Sequence, residues 1–203
     1  SQTLTEGHCA VVLLDDQSTD AWQAEIADLL AHPGLILLEG HCGSAALARN
    51  AILDFIESDL PNVRWVARLD PDDLLCSSTS VDALVCAGES KRASFVLGSN
   101  YLVRDQVPIK PDNIANPHIL LDREKLVQFI DAFCFGNSAN ELPSCNLLIR
   151  TKCGIRYPSI RSAEDHWLIA QLLFFRANEA AIVPYPVYCH YSLLGQTTTS
   201  NEK

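Results

Sequence analysis

Acidic side chains gather at three places along this 203-residue chain, and each place could do chemistry. The densest is Asp70-Pro71-Asp72-Asp73. In an extended segment residues i and i+2 point to the same side, so Asp70 and Asp72 converge. Two carboxylates facing one space repel unless a cation sits between them. Hard divalent ions such as Mg²⁺ or Mn²⁺ take oxygen ligands and are commonly shared with a substrate's phosphates. The same residues also make good turn chemistry, with the acids capping the helix that follows. The second place is Asp15-Asp16, with Ser18, Thr19 and Asp20 behind it. A carboxylate there can accept hydrogen bonds from a nucleobase or sugar hydroxyls, while Asp20 reads as a helix N-cap. Alternatively, Asp16 is the aspartyl nucleophile of a Mg²⁺-dependent phosphohydrolase. The third is Ser162-Ala163-Glu164-Asp165. Ser-x-x-Asp is close to a capping box, and Glu164 or Asp165 at the helix mouth could act as a general base. Arg49, beside Asn50 on a helix, could meet a phosphate or face solvent. His190 could complete a metal shell or simply pack.

These residues need strands and helices to hold them, and the sequence alternates between the two. Cys9–Leu14 is a short Val-rich apolar run, the mark of a strand buried on both faces. A helix follows over Ala21–Ala31, with Trp22, Ile26, Leu29 and Leu30 on one face, stopped by Pro33-Gly34. Leu35–Leu38 is a second strand, Ser44 caps a helix running to about Ser58, and Val63–Leu69 is a third strand. Further along, helices are expected over Val81–Ala87, Asp122–Phe133 and Ser162–Arg176, and strands over Ser94–Val103, Cys145–Arg150 and Ala181–Tyr191. Pro108–Pro117 reads as a loop, and Pro184 and Pro186 mark the last strand as an edge. Strands separated by helices predict an α/β fold with a mostly parallel central sheet flanked by helices. In such sheets ligands bind outside the carboxyl ends of the strands. Two of those ends carry acid clusters, at Asp15-Asp16 and at Asp70–Asp73.

Composition narrows the partners. An apolar fraction of 48% and a charged fraction of 20% are ordinary for a globular protein. Fifteen basic against 25 acidic residues give a net charge of −10, which repels phosphate backbones and argues against nucleic acid. No apolar run reaches the roughly 18 residues of a membrane span, and no secretory leader opens the chain. The eight cysteines are scattered with no C-x-x-C pair, as expected of reduced thiols in a cytoplasmic protein. The absence of methionine, even at position 1, is that of a processed or partial chain. One domain over 1–203 is expected, with halves of about 1–75 and 76–203.

Taken in order, VVLLDDQSTDAW (11–22), GSAALARN (43–50), VARLDPDDLL (66–75), LPSCNLLIR (142–150) and SAEDHWLIAQLL (162–173) resemble the family-2 glycosyltransferases. The resemblance implies the nucleotide-sugar-binding GT-A fold, with the first half binding the donor and the second the acceptor. It implies that Asp15 or Asp16 holds the uracil or ribose, with Arg49 and Asn50 on the helix near the donor. Asp70 and Asp72 match the DxD-type motif, Asp70 near the ribose and Asp72 on Mn²⁺ or Mg²⁺. Asp165 is the implied base, and Glu164 contacts the acceptor or orients that base. The activity implied is metal-dependent, inverting transfer of one sugar, of hexosyltransferase type, from a nucleoside-diphosphate sugar such as a UDP-sugar. The acceptor would be a saccharide or a lipid-linked hydroxyl. The chain departs from the family in opening at what would be the second strand and in lacking Gln-x-x-Arg-Trp. A non-catalytic domain that binds a sugar nucleotide or a partner protein is the alternative.

Overall fold

The run Phe95-Val96-Leu97 divides the interior, because successive side chains on a strand point to opposite faces. Phe95 and Leu97 enter one apolar cluster and Val96 enters another, all three fully buried. They belong to β5 (Phe95–Arg104), the central strand of a six-stranded sheet in the computed structural model. The described residues are 2–4, 7–71, 73–104, 107–112, 118, 122–134, 147–160 and 163–191.

Chain order is β1 (Val11–Asp15), α1 (Trp22–Glu25), α2 (Ala27–Leu30), β2 (Leu35–Glu39), α3 (Ala45–Asp59), β3 (Trp65–Ala67) and β4 (Leu74–Leu75). There follow α4 (Ser80–Lys91), β5, β6 (Val107–Asp112), α5 (Arg123–Cys134), β7 (Leu147–Arg150), α6 (Glu164–Arg176) and β8 (Ala180–Tyr191). The large sheet runs β3-β7-β5-β8-β4, with β6 also on β5. Ala46, Leu53, Leu168, Ile169 and Leu173 from α3 and α6 cover one face. Leu84 of α4 meets Val96, Val183, Val187 and Tyr188 on the other. Gly88 lets α4 approach closely: a Cβ there would lie 2.7 Å from Cη2 of Trp65. Among the described residues no helix is long and apolar enough to cross a membrane.

The sheet is mixed rather than mostly parallel. β5 pairs with β8 in parallel, but β3 with β7, β7 with β5, β4 with β8 and β6 with β5 are all antiparallel. β1 and β2 form a separate parallel pair. β1 is not buried on both faces, since none of its residues is buried and Val11 is 57% exposed. The expected helix over 21–31 divides at Ile26 into two four-residue helices without side-chain caps. Leu29 and Leu30 are exposed, so no apolar face is packed firmly enough to sustain a continuous helix. Val107–Asp112 is a strand where a loop was expected, its prolines tolerated beside β5 alone. β8 is internal, between β5 and β4. Its prolines lie before Tyr188–Cys189, the only stretch that β4 pairs, and beside a register irregularity against β5.

One acid of the 70–73 cluster is built into this core. Asp73 is 4% exposed and accepts a hydrogen bond from the fully buried phenol of Tyr188. Tyr188→Phe removes that donor to a carboxylate, and such bonds contribute about 1.5–3 kcal/mol. Urea unfolding is expected to show a loss of that size.

Candidate functional site

The segment after β7 brings the distant acids together. Because β7 is antiparallel to β3, with Trp65 opposite Arg150, the chain leaves β7 at the end where β3 begins. It must return toward the carboxyl end of β3 to start α6, and it does so along α3. The Lys152 amide donates to Glu57, Arg156 forks onto Asp54 and Glu57, and Tyr157 meets Asn50. Rising numbers in the segment meet falling numbers on α3, so the two run in opposite directions. Ser44 caps α3, its hydroxyl accepting from the Leu47 amide at 3.3 Å.

Asn50 is a clamp. Its Nδ2 donates to the Tyr157 carbonyl at 2.9 Å, and its Oδ1 accepts from the Tyr157 amide at 2.8 Å. That holds the Tyr157 ring, 5% exposed, with the Arg49 guanidinium 5.5 Å from its centroid.

Two arginines and three acids meet above it. Arg68 donates from Nε to Asp70 Oδ1 at 3.0 Å, from Nη2 to Asp70 Oδ2 at 2.6 Å, and from Nη1 to Asp165 Oδ2 at 3.2 Å. Arg49 pairs with Glu164 and lies 3.6 Å from Asp70 Oδ1. Asp70 is therefore shared, with each arginine linking it to one acid of the Glu164-Asp165 pair. Two guanidinium groups against three carboxylates leave a formal charge of minus one. Burial alone would raise the Asp165 carboxyl, but Arg68, His166 and the His166 amide together hold it below the usual carboxylate range. Burial opposes the charge of Arg68 as well, yet Asp70 and Asp165 keep its guanidinium more firmly protonated than usual. The Tyr157 phenol is pushed up, chiefly by burial.

Of the residues singled out in the sequence, Arg49, Asp70, Glu164 and Asp165 are brought together and Asn50 supports them. Asp165 is at the start of α6, but the N-cap position is Ala163, with a left-handed φ of 61° and no side-chain cap. Ser162 is outside the described residues. Asp15 and Asp16 are engaged locally instead. Asp15 accepts from the Ser18 amide at 2.9 Å, a bond that chiefly lowers its carboxyl. Asp16 accepts the amides of Cys42 and Gly43, fastening the loop before α3. Asp72 and the side chain of His190 lie outside the described residues. Among the described residues no group of three or more His, Cys, Asp or Glu is placed to hold a metal ion. Both Asp70 oxygens already accept from Arg68, so a cation bound there would have to share that carboxylate with a guanidinium.

Arg68 and Tyr157 were not singled out in the sequence. Arg68 carried a usable signal, because two residues before Asp70 on extended backbone it points to the same side. Tyr157 carried none.

Comparison with solved structures gives the fold a relative. The crystal structure of Staphylococcus aureus TarS residues 1–349 in complex with UDP superposes with a TM-score of 0.63 at 17% identity. At that identity the likeness is one of fold: the chain shares the fold of TarS 1–349. The match covers 90% of this chain and 51% of that one, so the chain spans about half of the TarS 1–349 structure. A second crystal structure of TarS 1–349 gives a TM-score of 0.61 at 18% identity over the same shares. The longer TarS structure gives 0.60 at 16%, with 90% and 31% covered. No protein-family model and no curated protein sequence matches the chain.

The lowered Asp165 carboxyl makes a pH prediction. A folded pKa below the unfolded value, about 3.9, stabilises the fold fully above that value. The contribution disappears as pH falls through the folded pKa. The difference in unfolding free energy between wild type and Asp165→Asn should therefore stay constant from pH 7 to about 5 and shrink below about 4. Chemical denaturation at stepped pH reads it; a difference that does not shrink at all between pH 5 and pH 2 would contradict the pairing.

Proposed function

We propose that this chain is a glycosyltransferase domain that moves one sugar from a UDP-sugar to an acceptor hydroxyl with inversion. The observation that carries this reading is the meeting of Asp70, Glu164 and Asp165 beyond the carboxyl end of β3. Sharing a fold with a protein crystallised with UDP supports the nucleotide donor.

Asp165 takes the proton of the acceptor hydroxyl as its oxygen attacks the anomeric carbon. The bond from that carbon to the diphosphate oxygen breaks on the opposite face, which inverts the centre. Asp165 is ionised at neutral pH and so is ready to accept a proton. Glu164, fixed by Arg49, flanks the base and orients the acceptor. Asp70 faces the ribose and Asp15 the nucleotide, while Asp16 shapes the loop before α3. Asp70 and Asp72 would hold a divalent cation, with His190 available to complete its shell, and such a cation would supply charge stabilisation to the leaving diphosphate. The acceptor is a saccharide or a lipid-linked hydroxyl. Both oxygens of Asp16 accept backbone amides, which weighs against its use as a phosphohydrolase nucleophile.

A binding-only reading draws support from the same cluster, since the arginines already neutralise much of its acid. Turnover separates the two. Sugar-nucleotide consumption with Mn²⁺ should fall by about 10²–10⁴ in Asp165→Asn, the usual contribution of a general base. Asp72→Ala should fall comparably, and excess Mn²⁺ should restore part of its rate. Equal rates in all three proteins would reject the catalytic assignments. UDP binding without transfer across an acceptor panel would favour the binding-only reading. Phosphate release from a simple phosphoester, lost in Asp16→Asn alone, would instead support the hydrolase.

A further inference from the structure

Arg68 is the described side chain that joins the Asp70 loop directly to Asp165. Its backbone amide donates to the Leu147 carbonyl at 3.2 Å, which extends the β3–β7 pairing by one residue and fixes where the side chain begins. The side chain is only 10% exposed. Two edges of its planar guanidinium are in use, one doubly bonded to Asp70 and the other turned to Asp165. A guanidinium is rigid, so its two partners are held at a set separation. Asp165 Oδ1 is occupied in turn by the His166 amide at 2.8 Å. Each carboxylate oxygen offers two lone-pair directions, so room for an acceptor hydroxyl remains.

We propose that Arg68 is a positioning residue: it sets Asp165 at a fixed place relative to the donor-side loop of Asp70. The inference rests on the glycosyltransferase reading for what Asp165 does, but not for how Asp165 is held. Arg68 acts through Asp165 and Asp70 and need not touch the substrate. Among the described residues, the charged and titratable groups around Asp165 are Arg68 and Asp70 from the end of β3, Tyr157 from the segment before α6, and Glu164 and His166 on α6 itself. Arg49 stands behind Glu164 on α3. Of the side chains just named, Arg68 donates to one Asp165 oxygen, while the His166 backbone amide donates to the other.

The test compares wild type with Arg68→Met and Arg68→Lys in two readouts. The first needs no activity: the Asp165 carboxyl carbon is followed by NMR through a pH titration, assigned by its loss in Asp165→Asn. In Arg68→Met its midpoint should move to higher pH, because burial then acts without the guanidinium against it. The second is UDP-sugar turnover. A displacement of about 1 Å at a reacting group can cost roughly 100-fold in rate, so kcat in Arg68→Met should fall by about that factor. KM for the donor should change far less. Arg68→Lys keeps the buried charge but lacks the fork, so it should titrate near wild type yet remain roughly tenfold slow. If Arg68→Met does not fold, the lysine variant carries the comparison alone, and a wild-type kcat in it overturns the proposal. An unmoved Asp165 midpoint in a folded Arg68→Met also overturns it, whether or not wild type turns over. Wild type with no turnover but a moved midpoint sinks the glycosyltransferase reading and leaves the positioning role standing.

Discussion

Like charges do not gather in a partly buried space unless opposite charges gather with them. Asp70, Glu164 and Asp165 have side chains between 12% and 27% exposed, where water screens poorly. Arg49 and Arg68 are the counter-charges, and both contact Asp70. Arginine suits the task better than lysine because its planar fork bonds one carboxylate on one edge and still has donors for a second. Removing either partner of such a pair leaves an uncompensated charge, which costs far more than the pair itself contributes. The cluster therefore has to assemble as a unit, and the elements that deliver its members have to agree on one place.

That agreement explains the otherwise wasteful path from β7 to α6. Antiparallel pairing sends β7 away from the carboxyl end of β3, and the following segment must retrace that length before Glu164 and Asp165 can appear. It is bonded to α3 at Glu57, Asp54 and Asn50 in succession, so its climb is guided by hydrogen bonds to side chains of a capped helix. The Arg156 fork lowers the Glu57 carboxyl, while the fork's other partner, the Asp54 side chain, is 65% exposed, so that ion pair is screened by water and works mainly by direction. The same helix supplies Arg49. A single rigid element thus sets both the approach of the acids and one of their counter-charges.

What the sequence makes legible follows how local each signal is. The Ser44 cap and the helix behind it, the helix beginning near Glu164, and the acid at the end of the third strand depend on neighbours within one turn or one strand, and all appear where expected. Strand direction does not depend on neighbours. Leu147–Arg150 reads the same whether β7 runs with β5 or against it, and only the long return to α6 reveals which. The helix over 21–31 had the right periodicity but lacks the cover that would hold it together. Within the site, Asp70, Glu164, Asp165 and Arg49 are legible as chemistry-bearing types, whereas the clamp that Asn50 places on the Tyr157 backbone is a contact between distant segments that no local signal announces. The local signal at Arg68 is its two-residue spacing to Asp70, which says nothing of a second carboxylate. That second partner, 97 residues away, is visible only once the fold is closed.

The guanidinium at Arg68 also carries a cost that defines its role. A base is stronger when its proton affinity is higher, and Arg68 lowers the proton affinity of Asp165. An ordinary aspartate, with a pKa of about 3.9, is already ionised at neutral pH, so further lowering adds almost nothing to the ionised fraction. Basicity is lost and occupancy is not gained. A base in an apolar pocket, its pKa raised by burial, would be the better proton acceptor but would have no fixed direction and no counter-charge for the acids beside it. What Arg68 contributes must therefore be geometric: a carboxylate that is weaker as a base but held at one distance from the loop that bears Asp70. In the transfer proposed above, whose rate would depend on aligning three groups from separate parts of the chain, alignment is the scarcer quantity.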